Sequence, residues 1–413
     1  MSKLKSPTNI RASIDMGTTK ISAMIAESQS SAMRVIGVGT VPADGLKQGV
    51  VVDIERAAAA VSKAVSEAER MAGFAVSVFN VGVAGEHIRS MNSRGVVAIP
   101  SIDDEINEHD VSRAISASRK FSLPYDREII HTLPQGYIVD NQKGIRHPAG
   151  MYGARLEARV HVVTASRPAL DNVSKTLELS GVEADEIVLE PLASSRSVLT
   201  DDERELGVML LDIGGGTTDV MVVVEGGVVA SGVIGLGGND VTSDIAYGLR
   251  TSQTHAEEIK IKYGCALSSL VEDGESIEVT TVGFQGTRRL ARHMLAGIIE
   301  PRVTELLSLI GDQVSESGVK KLLGAGVVLT GGTAMLRGIR ELAEQVFDLP
   351  VRVGRPLAVD GLSEVVHHPR FATGVGLLYD YGGATTGGGE RVSGTKRLMS
   401  SFDQLKRAIA SFI

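Results

Sequence analysis

One cysteine, Cys265, occurs in 413 residues. That excludes an intramolecular disulfide and a thiolate-based zinc site, and it suits a reducing compartment. No apolar run reaches the ~18 residues a membrane-spanning helix needs, so any membrane contact is expected to be peripheral. The net charge is −8 and no long basic run interrupts the body of the chain, which argues against nucleic acid as a partner. There is no Gly-Lys dipeptide, hence no Walker A phosphate loop, and no G-x-G-x-x-G opens a helix after a strand. The first nine residues are polar and lead straight into a strand, so no secretory signal is expected. The composition, 43% hydrophobic and 22% charged, is that of a globular chain long enough for two or three domains.

Against these absences stands Leu210-Leu211-Asp212-Ile213-Gly214-Gly215-Gly216-Thr217-Thr218-Asp219, followed by the β-branched run Val220 to Val224. An apolar run, a Gly-rich turn and a second apolar run predict strand, tight turn, strand. Glycines let backbone approach a ligand, successive free N–H groups make an anion nest, and Thr217 and Thr218 add hydroxyls. Asp212 and Asp219 would repel a bare phosphate but suit one carrying Mg²⁺. A similar order recurs near the N-terminus as Asp15-Met16-Gly17-Thr18-Thr19-Lys20, followed by the strand from Ile21. The central stretch reads as the same hairpin with two extra glycines, and Lys20 reads as the counterpart of Asp219, a point charge for phosphate oxygens. Two copies predict two homologous halves closing on one phosphate group.

Taken in order, residues 10–41 read as three strands and Glu55 to Met71 as an Ala-rich helix stopped at Gly73. Val76 to Ala84 reads as a strand. From about 86 to 165 the α/β rhythm falters into short strands and a helix near Glu108 to Lys120, and this block is expected to be an inserted α+β domain. Pro168 to Ser180 is a predicted helix. Glu190 to Ser195 opens another, with Pro191 in its first turn. Asp201 to Glu205 reads as an acidic turn between the halves. Gly235 to Asp240 opens a helix that continues to Gly264, and Arg288 to Ile310 reads as one helix. Val327 to Ala334 predicts a third strand, Gly turn and helix, with room for a flat base or ribose. Phe371 to Leu378 reads as a small-residue helix in which Gly374 and Gly376 allow tight packing.

Residues 382–395 read as a flexible Gly-rich linker. Beyond it Leu398, Phe402, Leu405, Ile409 and Phe412 recur at spacings of 4, 3, 4 and 3, one helical stripe. Lys396, Arg397, Lys406 and Arg407 flank that stripe with Asp403 as the single acid. The pattern is that of an amphipathic helix lying in a membrane interface, stronger on anionic lipid.

Five stretches resemble, in the same order, the motifs of the actin/Hsp70/sugar-kinase ATPase superfamily. They are Asp15–Lys20 and Asp212–Asp219 for phosphate, Glu190–Ser195 and Phe371–Leu378 as connecting helices, and Leu329–Ala334 for adenosine. Within it the chain resembles the FtsA family of bacterial division proteins, through the block near 86–165, the tail, and Ile299 to Leu307. The implied fold is α/β, two duplicated ribonuclease-H-like halves with an inserted subdomain. Residues 1–85, 166–202 and 366–381 would form subdomain 1A, and 86–165 subdomain 1C. Residues 203–235 and 313–365 would form 2A, 236–312 would form 2B, and 396–413 the membrane helix.

The resemblance implies ATP and Mg²⁺ as ligands. Gly17, Thr18, Thr19 and Lys20 would hold phosphates from one side and Gly214, Gly215, Gly216, Thr217 and Thr218 from the other. Asp15, Asp212 and Glu190 would place Mg²⁺ through water. Gly238, Glu257, Lys260, Gly331 and Gly332 would surround the adenosine. Arg288, Arg302 and Glu305 match the surface that takes the C-terminal peptide of FtsZ. Leu398, Phe402, Leu405, Lys406, Arg407, Ile409 and Phe412 would bind the membrane. The expected function is an ATP-binding, self-assembling adaptor that tethers the FtsZ ring to the cytoplasmic face of the inner membrane at the septum, beside other divisome proteins. No general base stands out, so at most slow hydrolysis is expected. The alternatives on this fold are a pilus-assembly ATPase and a small-molecule kinase.

Overall fold

The computed structural model describes residues 9–28, 33–100, 105–282 and 287–381. The linker, the amphipathic tail and most of the polar N-terminal extension lie outside the described residues.

The chain opens with an antiparallel meander, β1 (Ile10–Met16), β2 (Lys20–Ser28) and β3 (Met33–Pro42). A small hairpin follows, β4 (Leu46–Lys47) and β5 (Val50–Val51). Helix α1 (Ile54–Ala72) is capped by the Asp53 carboxylate at its start and by left-handed Gly73 at its end. Its buried face is mostly alanine and lies directly on β3, where a side-chain carbon at Gly39 would sit 1.9 Å from the Ala64 carbonyl oxygen. Strand β6 (Val78–Val83) then runs parallel to β1.

The expected insertion is a separate sheet with its own core. It comprises β7 (Arg89–Ala98), α2 (Glu108–Ser118), β8 (Arg127–Val139), β9 (Gln142–Ile145) and β10 (Arg155–Ser166), in the order β7-β10-β8-β9. The strand period puts Leu156, Ala158, Val160 and Val162 on one face, packed with Val111, Ala114 and Ile115 of α2. The roots of the insert, through Leu133, Val163 and Ala165, join the core of the first lobe.

Next come α3 (Arg167–Ser180), β11 (Glu183–Leu189), α4 (Glu190–Val198) and α5 (Asp201–Leu206). The stretch from Asp201 is a helix rather than the expected turn, because Thr200 and Glu203 form a capping box around its first turn. The second lobe follows with β12 (Val208–Ile213), β13 (Thr218–Val224), β14 (Gly227–Ile234), α6 (Gly238–Leu249) and α7 (Gln253–Tyr263). The expected continuous helix is broken at Arg250, which sits in the left-handed region.

Strands β15 (Ser276–Thr280) and β16 (Thr287–Ala291) pair before α8 (Arg292–Glu316), so Arg288 lies on a strand and not in the helix expected over 288–310. The cause is the pairing of Arg288 with Val279 in a local antiparallel pair of strands, a cross-strand contact that helical periodicity does not reveal. The lobe closes with β17 (Gly326–Thr330), α9 (Ile339–Phe347) and β18 (Val351–Val353). The Gly turn after β17 leads into one 3₁₀ turn, Thr333–Met335, before α9 begins. The chain then returns to the first lobe with β19 (Val359–Gly361), α10 (Ser363–Val366) and α11 (Ala372–Gly376). There a side-chain carbon at Gly376 would sit 2.0 Å from the carbonyl oxygen of Ala193 on α4, so only glycine permits that packing.

The two large sheets have orders β11-β6-β1-β2-β3-β19 and β14-β13-β12-β17-β18. Each is a three-stranded antiparallel meander extended on the side of its first strand by two parallel strands. β1, β2, β3, β6 and β11 therefore correspond to β12, β13, β14, β17 and β18. Among the described residues no helix is long and apolar enough to cross a membrane.

Candidate functional site: a cleft between two hairpin tips

The duplication brings the two hairpin tips together. A side-chain carbon on Gly215 would lie 2.2 Å from the Thr19 methyl group, and one on Gly216 would lie 2.7 Å from the Thr18 methyl group. The tips are thus in van der Waals contact, and glycine in one faces threonine in the other. Thr18 is held from behind, since its hydroxyl accepts the Gly49 N–H at 3.0 Å. Next to Gly49, the Gln48 amide donates to the Gly235 carbonyl at 3.0 Å, a second tie across the cleft.

The registers correct one expectation. The last paired residues are Met16 with Ile21 in one hairpin and Ile213 with Thr218 in the other, so four residues form each tip. The second tip has no inserted residues: Gly215 and Gly216 stand where the first has Thr18 and Thr19. Lys20 corresponds to Thr217, and Asp219 corresponds to Ser22, since Asp15 lies opposite Ser22 and Asp212 opposite Asp219. Both of the latter carboxylates are buried, at 8% and 4% exposure. Like charges directly opposite across two strands oppose folding.

Glu190, the first residue of α4, joins them. Burial, then the charges of Asp15, Asp219 and Asp212, pushes its carboxyl well above the usual range, and Lys20 opposes this. Burial and the charges of Asp212 and Asp15 do the same to Asp219, and its Oδ1 has no hydrogen-bond partner. Asp212 is raised by burial, while the hydroxyls of Ser194 and Thr373, at 2.5 and 3.1 Å from Oδ2, favour its charged form. Lys20 Nζ lies 2.8 Å from Asp15 Oδ2 and 5.3 Å from the centre of the Phe371 ring. Among the described residues no three metal-ligating side chains converge into a ready-made cage.

On the other side of the second tip, Lys260 Nζ donates to the Gly238 carbonyl and the Thr242 hydroxyl, each at 2.8 Å, and pairs with Glu257 at 2.7 Å. The Thr333 hydroxyl donates to the Gly214 carbonyl at 2.9 Å. Gly331 has φ +86°, and a side-chain carbon there would lie 2.5 Å from Asp212 Oδ1. The nearest side-chain atom to a carbon on Gly332 would be Cβ of Arg370, at 3.9 Å.

Every residue expected to hold phosphate, metal or adenosine thus lies on this cleft or in the network beside it. Arg302 and Glu305 lie elsewhere, on α8, where Arg302 forks onto Asp244 of α6 at 2.6 and 3.2 Å and reaches Glu305 at 2.5 Å. Arg288 is exposed on β16. The membrane residues lie outside the described residues. Sequence reasoning missed Thr242, and it placed Ser194, Thr333 and Thr373 within motif stretches without singling them out. Ser194 had a signal, since it stands four positions after Glu190 and so on the same helix face. Thr373 reaches Asp212 only through the return of the chain to the first lobe.

Comparison with known proteins gives the family and the fold. Residues 209–376 match the family model for the cell division protein FtsA, and residues 85–164 match the SHS2 domain inserted in FtsA. The FtsA protein of Pseudomonas aeruginosa is 48% identical over 366 residues, covering 88% of this chain and 87% of that protein. That of Escherichia coli K12 is 40% identical over 374 residues, covering 89% of each. Among solved structures, the PilM–PilN type IV pilus biogenesis complex superposes with a TM-score of 0.63 at 17% identity, covering 91% of this chain and 98% of that one. MreB5 of Spiroplasma citri bound to ADP gives 0.51 at 18%, covering 87% and 94%. At such identities these two establish the actin-like two-lobed fold alone. The identities to the bacterial relatives establish more: this chain belongs to the FtsA family of cell division proteins.

Proposed function

We propose that the cleft binds ATP with Mg²⁺ and that the nucleotide sets how the chain assembles and meets its partners at the division site. One observation carries the reading: two glycine- and threonine-rich tips face each other over buried carboxylates for which Lys20 is the near counter-charge. Gly17 to Lys20 and Gly214 to Thr218 would supply N–H and hydroxyl donors to phosphate oxygens. Asp15, Asp212 and Glu190 would hold Mg²⁺ through its waters, as this cation keeps several of them. The unpartnered oxygen of Asp219 and the excess of carboxylates suit a hydrated dication. Bound Mg²⁺ would supply charge neutralisation of the phosphates. Gly238, Glu257, Lys260, Gly331 and Gly332 would flank the adenosine. Closure responds to the nucleotide only if open and closed lobes bind it with different affinity.

The same reading makes 1A, 1C, 2A and 2B the working subdomains. Arg288, Arg302 and Glu305 would dock the FtsZ C-terminal peptide, and residues 396–413 would hold the assembly on anionic membrane. Weak single tails would gain avidity when subunits assemble.

The direct test is ATP binding by the full-length protein with Mg²⁺ and with EDTA. Asp212→Asn should lower affinity in Mg²⁺ by at least about tenfold, the effect of losing one charge-assisted contact. Equal affinity would remove the cleft from the account. For the tail, liposomes of anionic lipid should sediment the full chain and leave a version ending at Gly394 in solution, and equal sedimentation would remove the tail.

A further inference from the structure

We propose that His131, in the inserted domain, is a positioning residue that fixes Glu190 in the cleft. The inference rests on the reading of Glu190 as a residue serving the nucleotide's metal.

The geometry begins at the junction of β11 and α4. Leu189 ends the strand and is the N-cap residue of α4, with no side-chain cap of its own. On its inner side β11 pairs with β6, Leu189 opposite Val83. Its N–H is taken from the other direction, by His131 Nε2 on β8 at 2.9 Å. β11 is an edge strand of the first sheet, so the insert supplies the partner that a neighbouring strand would otherwise give. Among the described residues no hydrogen bond holds the Glu190 carboxylate. Its stem instead packs where a side-chain carbon on Gly82 would lie 3.0 Å from Cγ. The carboxylate is therefore placed by its backbone, and the residue just before it is held by His131.

The tautomer follows. An accepting Nε2 puts the ring proton on Nδ1, and that atom is buried without a partner. A fully buried ring with an idle N–H costs free energy that an apolar side chain would avoid. Burial and the nearby Arg196 guanidinium push the imidazole down to about 4, so it stays a neutral acceptor at ordinary pH. An apolar residue here would fill the space but leave the Leu189 N–H unpaired. The arrangement gives up one buried hydrogen bond at Nδ1 to secure another beside the cleft.

The experiment compares His131→Phe, His131→Gln and Glu190→Gln in the full chain. Two quantities are read: amide exchange of the segment holding Leu189 without nucleotide, and the gain in ATP affinity when EDTA is replaced by Mg²⁺. His131→Phe should speed exchange at Leu189 and cut the Mg²⁺-dependent gain by about tenfold, the worth of one buried hydrogen bond. Affinity in EDTA should stay within about twofold of the parent. His131→Gln, whose amide oxygen can accept the same N–H, should restore both quantities. Should His131→Phe fail to fold, the parent protein still decides, because the Leu189 amide must exchange as slowly as that of Val188, whose N–H faces β6, and fast exchange at Leu189 overturns the proposal. A full Mg²⁺ gain in His131→Phe, alongside its loss in Glu190→Gln, overturns the positioning role and leaves the metal reading standing. A full gain in Glu190→Gln overturns both.

Discussion

The two hairpin tips descend from one plan yet differ in charge. In the first, Asp15 faces Ser22 across the strands and pairs with Lys20, so its charge is answered within its own hairpin. In the second, Asp212 faces Asp219, both buried, and the hydrogen bonds that answer Asp212 come from hydroxyls, with no cation in its own hairpin. The first jaw is internally neutral. The second sets two buried carboxylates against each other, a repulsion that a bound cation would relieve. Local rules of strand pairing are obeyed in one copy and broken in the other, the kind of breach expected where a chain trades stability for function.

The largest effect should come from breaking the neutral jaw. Lys20→Met leaves Asp15 buried and unpaired and should cost about 4 kcal/mol in urea unfolding without nucleotide. A loss under about 1 kcal/mol would mean that the pair contributes little. Next, Gly331→Ala should cost about 3 kcal/mol, because an L-residue would be forced to positive φ against Asp212. Gly17→Ala, on the first jaw, should cost less than about 1 kcal/mol, since no left-handed backbone is needed there. Equal losses would erase the contrast in how the jaws are supported.

Asp219→Asn should act with the opposite sign, stabilising the nucleotide-free protein by about 1–2 kcal/mol while reducing the benefit of Mg²⁺. Destabilisation would show that the carboxylate pair is not under strain. The smallest effect is on pH dependence. Asp219 and Glu190 hold protons more tightly in the folded state, so their contribution is present at low pH and is lost as pH rises through their raised values. His131 and His161, lowered to about 4 by burial, work the other way, with stability lost as pH falls from 6.5 toward 4. Asp219→Asn removes the first contribution and leaves the second, so the difference in stability between variant and parent should move in the variant's favour as pH rises, and a pH-independent difference would assign the carboxylate slope to other groups.

Much of this was legible in the residues. The two tips, the Ala-rich helix and the inserted block each carry a local signal: turn glycines, helix propensity or a lost rhythm. The tip alignment was not. Counting residues from Asp212 suggested extra glycines, whereas pairing across the strands shows tips of equal length with Ser22 opposite Asp15. Arg288 misled for the same reason, since its strand exists through pairing with Val279, which no local pattern announces. The helix at Asp201 was missed although Thr200 and Glu203 spell a capping box.

The sequence by itself determined the repeated hairpin, the residue types at its tips and the apolar period of Leu398 to Phe412, because those are set by spacing and by the chemistry of neighbouring residues. Only the tertiary structure decided that glycines of one tip meet threonines of the other, that Thr373 returns from the end of the chain to Asp212, and that a histidine of the insert grips the residue before Glu190. The reason is physical. Such contacts join residues up to 198 positions apart (216 minus 18), at a closure entropy that the packed cores of both lobes offset, and no local pattern encodes them.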